Sequence, residues 1–95
     1  MVKYNTPYLL RNSSVYTRYG HKKAYPVYVD EIDGFDISLK MFNEDETKVI
    51  NEIAWYGAHD LIPYTEENRK RIQAELDEYY DQDFVTLHDI MKGYK

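Results

Sequence analysis

Few residues in this chain are of types that do covalent or metal chemistry. Two of its three histidines stand in His-Asp dipeptides, His59-Asp60 and His88-Asp89. An imidazole beside a carboxylate can hold a divalent cation for phosphoester hydrolysis, but such a centre needs further His and Asp ligands at set helical positions, and the chain offers none. Both pairs are therefore expected to be solvated residues near helix ends. His21 sits beside Lys22 and Lys23, whose charge repels a cation. There is no cysteine, which removes disulfides, thiolate zinc sites and Cys nucleophiles together. Ser13, Ser14 and Ser38 lack the glycine-flanked elbow of a nucleophilic serine. Gly20, Gly34, Gly57 and Gly93 are too scattered for a phosphate-binding loop. The expectation is a protein with no catalytic residues, no metal and no cofactor.

Binding chemistry is better represented. Eleven residues are tyrosine, and six of these fall in the first 28. Charge is segregated as well: residues 1–29 carry five cations and no acid, whereas residues 30–95 carry seven cations against seventeen acids. In the basic segment Tyr16, Arg18, Tyr19, Lys22 and Lys23, with His21 and Tyr25, combine cations for phosphates with rings for stacked bases, the two ingredients of single-strand recognition. The competing reading packs these tyrosines in the sheet and pairs the cations with acids of the other half. In the acidic part Glu75, Asp77, Glu78, Asp81 and Asp83 crowd the expected end of a helix, where the helix dipole disfavours anions. With Tyr80 near the boundary of their outward face, they make a candidate surface for a cationic groove, the rings supplying buried area and the acids steering. Trp55, the only tryptophan, projects off the apolar stripe of its expected helix. It either anchors an interface or lies under the connector at 61–64.

The elements that must position these groups begin with short strands over residues 8–11, 15–19, 24–31 and 35–42. Asn12-Ser13-Ser14 reads as the turn between the first two. In the last, Phe35, Ile37, Leu39 and Met41 alternate with polar residues, which gives one buried and one wet face. Asp33-Gly34 marks a hairpin before it. A two-residue loop there sets Glu31 against Asp36 and turns Val27 and Val29 outward. A three-residue loop with Gly34 left-handed pairs Val29 with Leu39 and Val27 with Met41, and is preferred. From Asn43 the apolar period turns helical: Asn43 caps, Glu46 completes a capping box, and Val49, Ile50, Ile53 and Ala54 share a face up to residue 57 or 58. Leu61 to Tyr64 connects. Thr65 caps a second helix to about residue 81, with Ile72, Leu76, Tyr79 and Tyr80 as its apolar stripe. A short helix over 84–92, or a strand over 84–87, closes the chain. The predicted fold is α+β, a single domain over 1–95: a small antiparallel meander of three to four strands covered on one face by two main helices and a short C-terminal one.

Ninety-five residues with 43% hydrophobic content suffice for one core but leave little interior for an elaborate catalytic cavity. No stretch reaches the roughly 18 apolar residues of a membrane span, and a soluble, cytoplasmic chain is expected. In composition alone it is similar to the small, acidic, tyrosine-rich accessory proteins by which bacteriophages and mobile elements block host machinery, anti-CRISPR and anti-restriction proteins among them. That likeness covers no motif. It implies a binding protein that inhibits or modulates a nucleic-acid-handling host protein with a basic surface or groove, by presenting nucleic-acid-like charge. The alternative is a nucleic-acid-binding module built on the basic, tyrosine-rich segment.

Overall fold

The structure is a computed structural model that describes residues 2–93, and for Trp55 and residues 82–93 the course of the backbone alone. Five strands form one antiparallel sheet: β1 (Tyr8–Leu10), β2 (Val27–Asp33), β3 (Asp36–Phe42), β4 (Val49–Tyr56) and β5 (Leu61–Pro63). Their spatial order is β4-β3-β2-β1-β5, so β4 and β5 are the edges. A short helix α1 (Ser13–Arg18) joins β1 to β2, a 3-10 turn (Ala58–Asp60) precedes β5, and one long helix α2 (Glu66–Gly93) follows it. Two main helices and a separate C-terminal helix were expected, and the structure has one main helix instead.

Residues 15–18 are helical rather than extended, and Tyr19 is the cap at the end of that helix. The Asn12 side chain accepts from the Ser14 amide (3.0 Å), so the Asn-Ser-Ser cluster is a helix cap. Gly20 takes φ +76°, and His21 N bonds Tyr16 O while Gly20 N bonds Thr17 O. This is the paired closing pattern of a Schellman motif, which needs a left-handed residue just past the helix. Local β propensity in Val15, Tyr16, Thr17 and Tyr19 yields because the short helix turns Val15 and Tyr16 into the core.

The β2–β3 register pairs Val27 with Met41 and Val29 with Leu39, as expected. The device that sets it differs. The hairpin closes on a two-residue Gly34-Phe35 turn with Gly34 at φ +62°, and the extra residue is a bulge at Asp30, between Val29 and Glu31. Lys40 Nζ lies 3.2 Å from the Asp30 carboxylate and ties the bulge to β3.

The predicted first helix is β4. Two register shifts against β3, between Ile37 and Leu39 and between Met41 and Phe42, each give β4 an extra residue. These bulges break the two-residue alternation, so apolar residues recur at 49/50 and 53/54 with a spacing that imitates a helix. Asn43 does cap, but caps a loop: its Oδ1 accepts from the amides of Thr47 (2.9 Å) and Lys48 (3.1 Å). Glu46, expected to complete a capping box, sits in the left-handed region at φ 58°.

The expected connector at 61–64 contains strand β5, paired with β1 through Leu9 opposite Ile62 and Leu10 opposite Leu61. Neighbours in a strand point to opposite faces, and all four of these residues are buried, so this end of the sheet is covered on both sides. No alternation is left in the sequence to reveal it. Thr65 caps α2 as expected, its Oγ1 accepting from Asn68 N (3.1 Å). Ile72 and Leu76, one turn apart, enter the core with Leu9, Leu39, Met41 and Ile53.

Tyr16 is fully buried, and its hydroxyl accepts from Leu10 N (3.3 Å) and donates to Tyr25 O (2.8 Å). Burial pushes this phenol far above its ordinary range. Tyr28 is pushed up to about 12, by desolvation first and then by its hydrogen bond to, and the charge of, Glu46. An unfolded tyrosine ionises near pH 10. Between that pH and the folded values the native state binds more protons, so stability is complete below about pH 10 and falls above it. Denaturant melts from pH 8 to 12 should show that onset, and Tyr28→Phe should make the fall shallower. At neutral pH Tyr16→Phe should cost about 1–3 kcal/mol, since it leaves buried backbone groups unpaired.

Candidate functional site

Side chains of α2 fasten the segment that precedes β2. Gln73 accepts from Ala24 N (2.9 Å) and donates to Lys22 O (2.9 Å) and to Asp77 Oδ1 (3.0 Å). One turn before the end of the acidic run, the Tyr80 hydroxyl donates to His21 O (3.1 Å), and Lys22 Nζ stands 5.5 Å from the centre of its ring. Glu75 accepts from Ser13 Oγ (2.9 Å) and pairs with Arg71 (3.3 Å). The basic segment and the acidic helix, separate in sequence, thus lie against each other.

The acids do not crowd a helix end. Because α2 continues to Gly93, Glu75 to Asp81 occupy its middle, away from the last turn where the dipole acts. The dipole penalty expected from sequence is therefore absent. Glu75 is engaged in holding α1 and Arg71, whereas Asp77, Glu78 and Asp81 are exposed and, among the described residues, form no ion pair. With Lys22 and Tyr80 they line an open depression on the surface. Tyr80 is half-buried and bonded, while Tyr79, expected in the apolar stripe, is 50% exposed and meets the Tyr80 ring edge-on at 5.1 Å. Asp83 belongs to α2 by its backbone, and its side chain lies outside the described residues.

The five residues proposed for nucleic-acid contact are dispersed in role. Tyr16 is a core residue and offers no ring to a base. Lys23 pairs with Glu44, which holds its ammonium above the usual lysine range, by the hydrogen bond first and then by charge. Lys22 caps the Tyr80 ring. Arg18, in the last turn of α1, and Tyr19, 45% exposed, remain at the surface. His21 Nε2 lies 3.2 Å from Asn51 Nδ2, and partial burial lowers its pKa, which suits a neutral ring accepting from the amide.

Trp55 lies on edge strand β4 and not on a helix, so the projection that set it apart does not apply, and its side chain is outside the described residues. The His59 and Asp60 side chains approach to 3.6 Å, with Asp60 Oδ2 also accepting from Gly57 N (3.1 Å) as part of the turn. Among the described residues no cluster of three or more His, Cys, Asp or Glu is arranged to hold a metal. The side chains of His88 and Asp89 lie outside them.

Comparison with family models, with curated proteins and with solved structures finds no match to this chain. The reading of its surface therefore stands on geometry and charge. One surface feature escaped sequence reasoning altogether. Phe35, assigned to the buried face of a strand, occupies the hairpin turn and is 96% exposed. Its signal was available in Asp33 and Asp36, since acids on both sides of a Gly-Phe pair suit a solvated turn better than a buried strand end.

The two adjacent tyrosines of α2 should separate under mutation. Tyr80→Ala removes the bond to His21 O and should destabilise the fold by more than about 1 kcal/mol, whereas Tyr79→Ala should cost less than that. Thermal melts of the two variants check the order.

Proposed function

We propose that this chain is a binding protein that inhibits or modulates a nucleic-acid-handling host protein, in the manner of phage and mobile-element accessory proteins of the anti-CRISPR or anti-restriction kind. The observation that carries this reading is the middle of α2. Asp77, Glu78 and Asp81 are exposed and without ion pairs among the described residues, and they line one open depression with Lys22 and the half-buried Tyr80. Four residues of helix rise about 6 Å, so three carboxylates span a length over which one strand of a duplex carries about two phosphates. A basic surface or groove shaped for nucleic acid meets comparable charge there. The acids steer the encounter, and the Tyr80 ring, held in place by its bond to His21 O, supplies apolar area at their edge.

The alternative, a nucleic-acid-binding module on the basic segment, has less support: Tyr16 is in the core, and Lys22 and Lys23 are engaged within the fold.

Affinity capture from a nuclease-treated bacterial lysate supplies the partner for a kinetic test. Replacing Asp77→Asn, Glu78→Gln and Asp81→Asn together should leave the melting temperature unchanged or slightly raised, because it removes a like-charge pair one turn apart. Association with the partner should slow about tenfold or more, and the wild-type complex should weaken as salt is added. Duplex DNA should compete for the same partner. Unchanged partner kinetics in the triple variant would sink the proposal. So would a nanomolar complex of this chain itself with DNA or RNA that Lys22→Glu with Lys23→Glu abolishes.

A further inference from the structure

The β2–β3 hairpin carries a second surface, distinct from the α2 face. The register sets Glu31 opposite Ser38, Ile32 opposite Ile37 and Asp33 opposite Asp36. Strand alternation therefore turns the three acids to one face of the ribbon and the two isoleucines to the other. On the isoleucine side runs an open groove of about 600 Å³, bounded by Val2, Ile32, Phe35, Ile37, Ala58 and His59. Among the described residues that line it there is no Asp, Glu, Lys or Arg. Phe35 stands beside it with 96% of its surface in water, and Ile32 is 39% exposed. The turn accounts for Gly34, whose φ of +62° suits the first loop position, but not for a phenylalanine at the second.

An apolar knob and an apolar hole thus lie side by side on one uncharged patch, and both leave apolar surface wet. A small apolar molecule would fill the groove and leave most of the ring in water. A lipid surface would take the ring, but three carboxylates stand within a few residues of it, and insertion would draw them out of water. A second copy of this chain answers both needs. A two-fold axis brings a patch against itself, so each ring enters the other copy's groove and each groove receives a ring. Charge permits this contact. Two chains of net charge -5 repel each other, and they approach most easily through a patch whose lining holds no acid and whose neighbouring acids are turned to the far side of the ribbon.

We propose that this chain forms a two-fold dimer through the hairpin tip, with Phe35 of each copy seated against Ile32, Ile37 and Ala58 of the other. The area of contact sets its strength. An aromatic side chain buries roughly 150–250 Å², so two rings and the walls they cover fall short of the roughly 1,200 Å² at which stable interfaces begin. The dimer is weak and reversible, and forms as the concentration rises. The short turn fixes where the ring projects, so little ordering remains to be done on association.

Sedimentation of the full chain from about 10 μM to about 1 mM, a span suited to a weak interface, should show the mass rise from one chain toward two. Over that span amide shifts should move at residues 32–37 and 57–59. In a mixture of labelled and unlabelled protein, filtered NOE spectra should connect the Phe35 ring to the Ile32 and Ile37 methyls of the other copy. Added salt should strengthen the dimer, because it screens the repulsion between two acidic chains. Phe35→Ser, at a position that contributes almost no burial, should keep the melting temperature of the dilute chain and weaken association tenfold or more. Ala58→Glu, which puts a charge on the groove wall, should weaken it likewise. Asp33→Asn with Asp36→Asn, and Asp77→Asn with Glu78→Gln and Asp81→Asn, should dimerise at least as tightly as the wild type, since neither set of acids lies in the contact. A mass of one chain throughout the span overturns the proposal, whether the groove then takes an apolar dye or another protein. So does a dimer that Phe35→Ser leaves intact, that salt dissociates, or whose shifts centre on β4 or on residues 77–81.

Discussion

The hydroxyl of Tyr16 is the constraint around which the rest is arranged. Its ring fills the centre of the core, and its oxygen joins two stretches of backbone that would otherwise bury polar groups without partners: the Leu10 amide at the end of β1 and the Tyr25 carbonyl at the approach to β2. A buried hydroxyl is tolerated only when it is bonded, and this one both donates and accepts. Placing it there requires α1, because an extended segment at 15–19 would not carry the Tyr16 side chain back over β1. Asn12 and Gly20 exist in this scheme to start and stop a helix of six residues.

From that arrangement follows the position of the basic segment. With α1 fixed, residues 21–24 run beside α2, where Gln73 takes both the Ala24 amide and the Lys22 carbonyl and Tyr80 takes the His21 carbonyl. Backbone that is neither helix nor strand is satisfied by side chains of the helix next to it. The consequence is electrostatic: the cations of the first third of the chain are spent largely on the fold, through Lys22 over Tyr80 and Lys23 with Glu44. Negative charge is left outward at the middle of α2 and at the β2–β3 tip.

How much could be read in the chain varied from element to element. β3 shows itself because Ile37, Leu39 and Met41 alternate with polar residues along an unbulged core face, and its pairing with β2 follows from the need to bury Val27 and Val29. Avoidance of facing carboxylates was the weaker consideration, since the hairpin accepts Asp33 against Asp36 to keep those valines inside. β4 was hidden by its two bulges, and β5 by burial on both faces. Of the candidate site residues, Asp77, Glu78 and Asp81 face outward as their helical spacing implies, while the helix end that made them look costly is removed by the continuous α2. Tyr16 and Phe35 exchanged roles: the ring expected to meet a ligand is in the core, and the ring expected in the core stands in solvent.

Some properties of this protein were determined by its sequence alone. Residue types exclude thiol chemistry, the segregation of charge dictates that some surface will be strongly acidic, and local signals such as Thr65, Gly34 and the alternation in β3 act over a few residues and hold wherever the chain folds. The tertiary structure alone decided which groups face each other. Bulges, a helix chosen over a strand at 13–18, and the bonds from Gln73 and Tyr80 depend on contacts between residues some fifty positions apart. Such contacts override local propensity because burying Val15, Tyr16, Ile72 and Leu76 together is worth several kcal/mol, while the preference of one residue for helix or strand is worth about 1 kcal/mol at most.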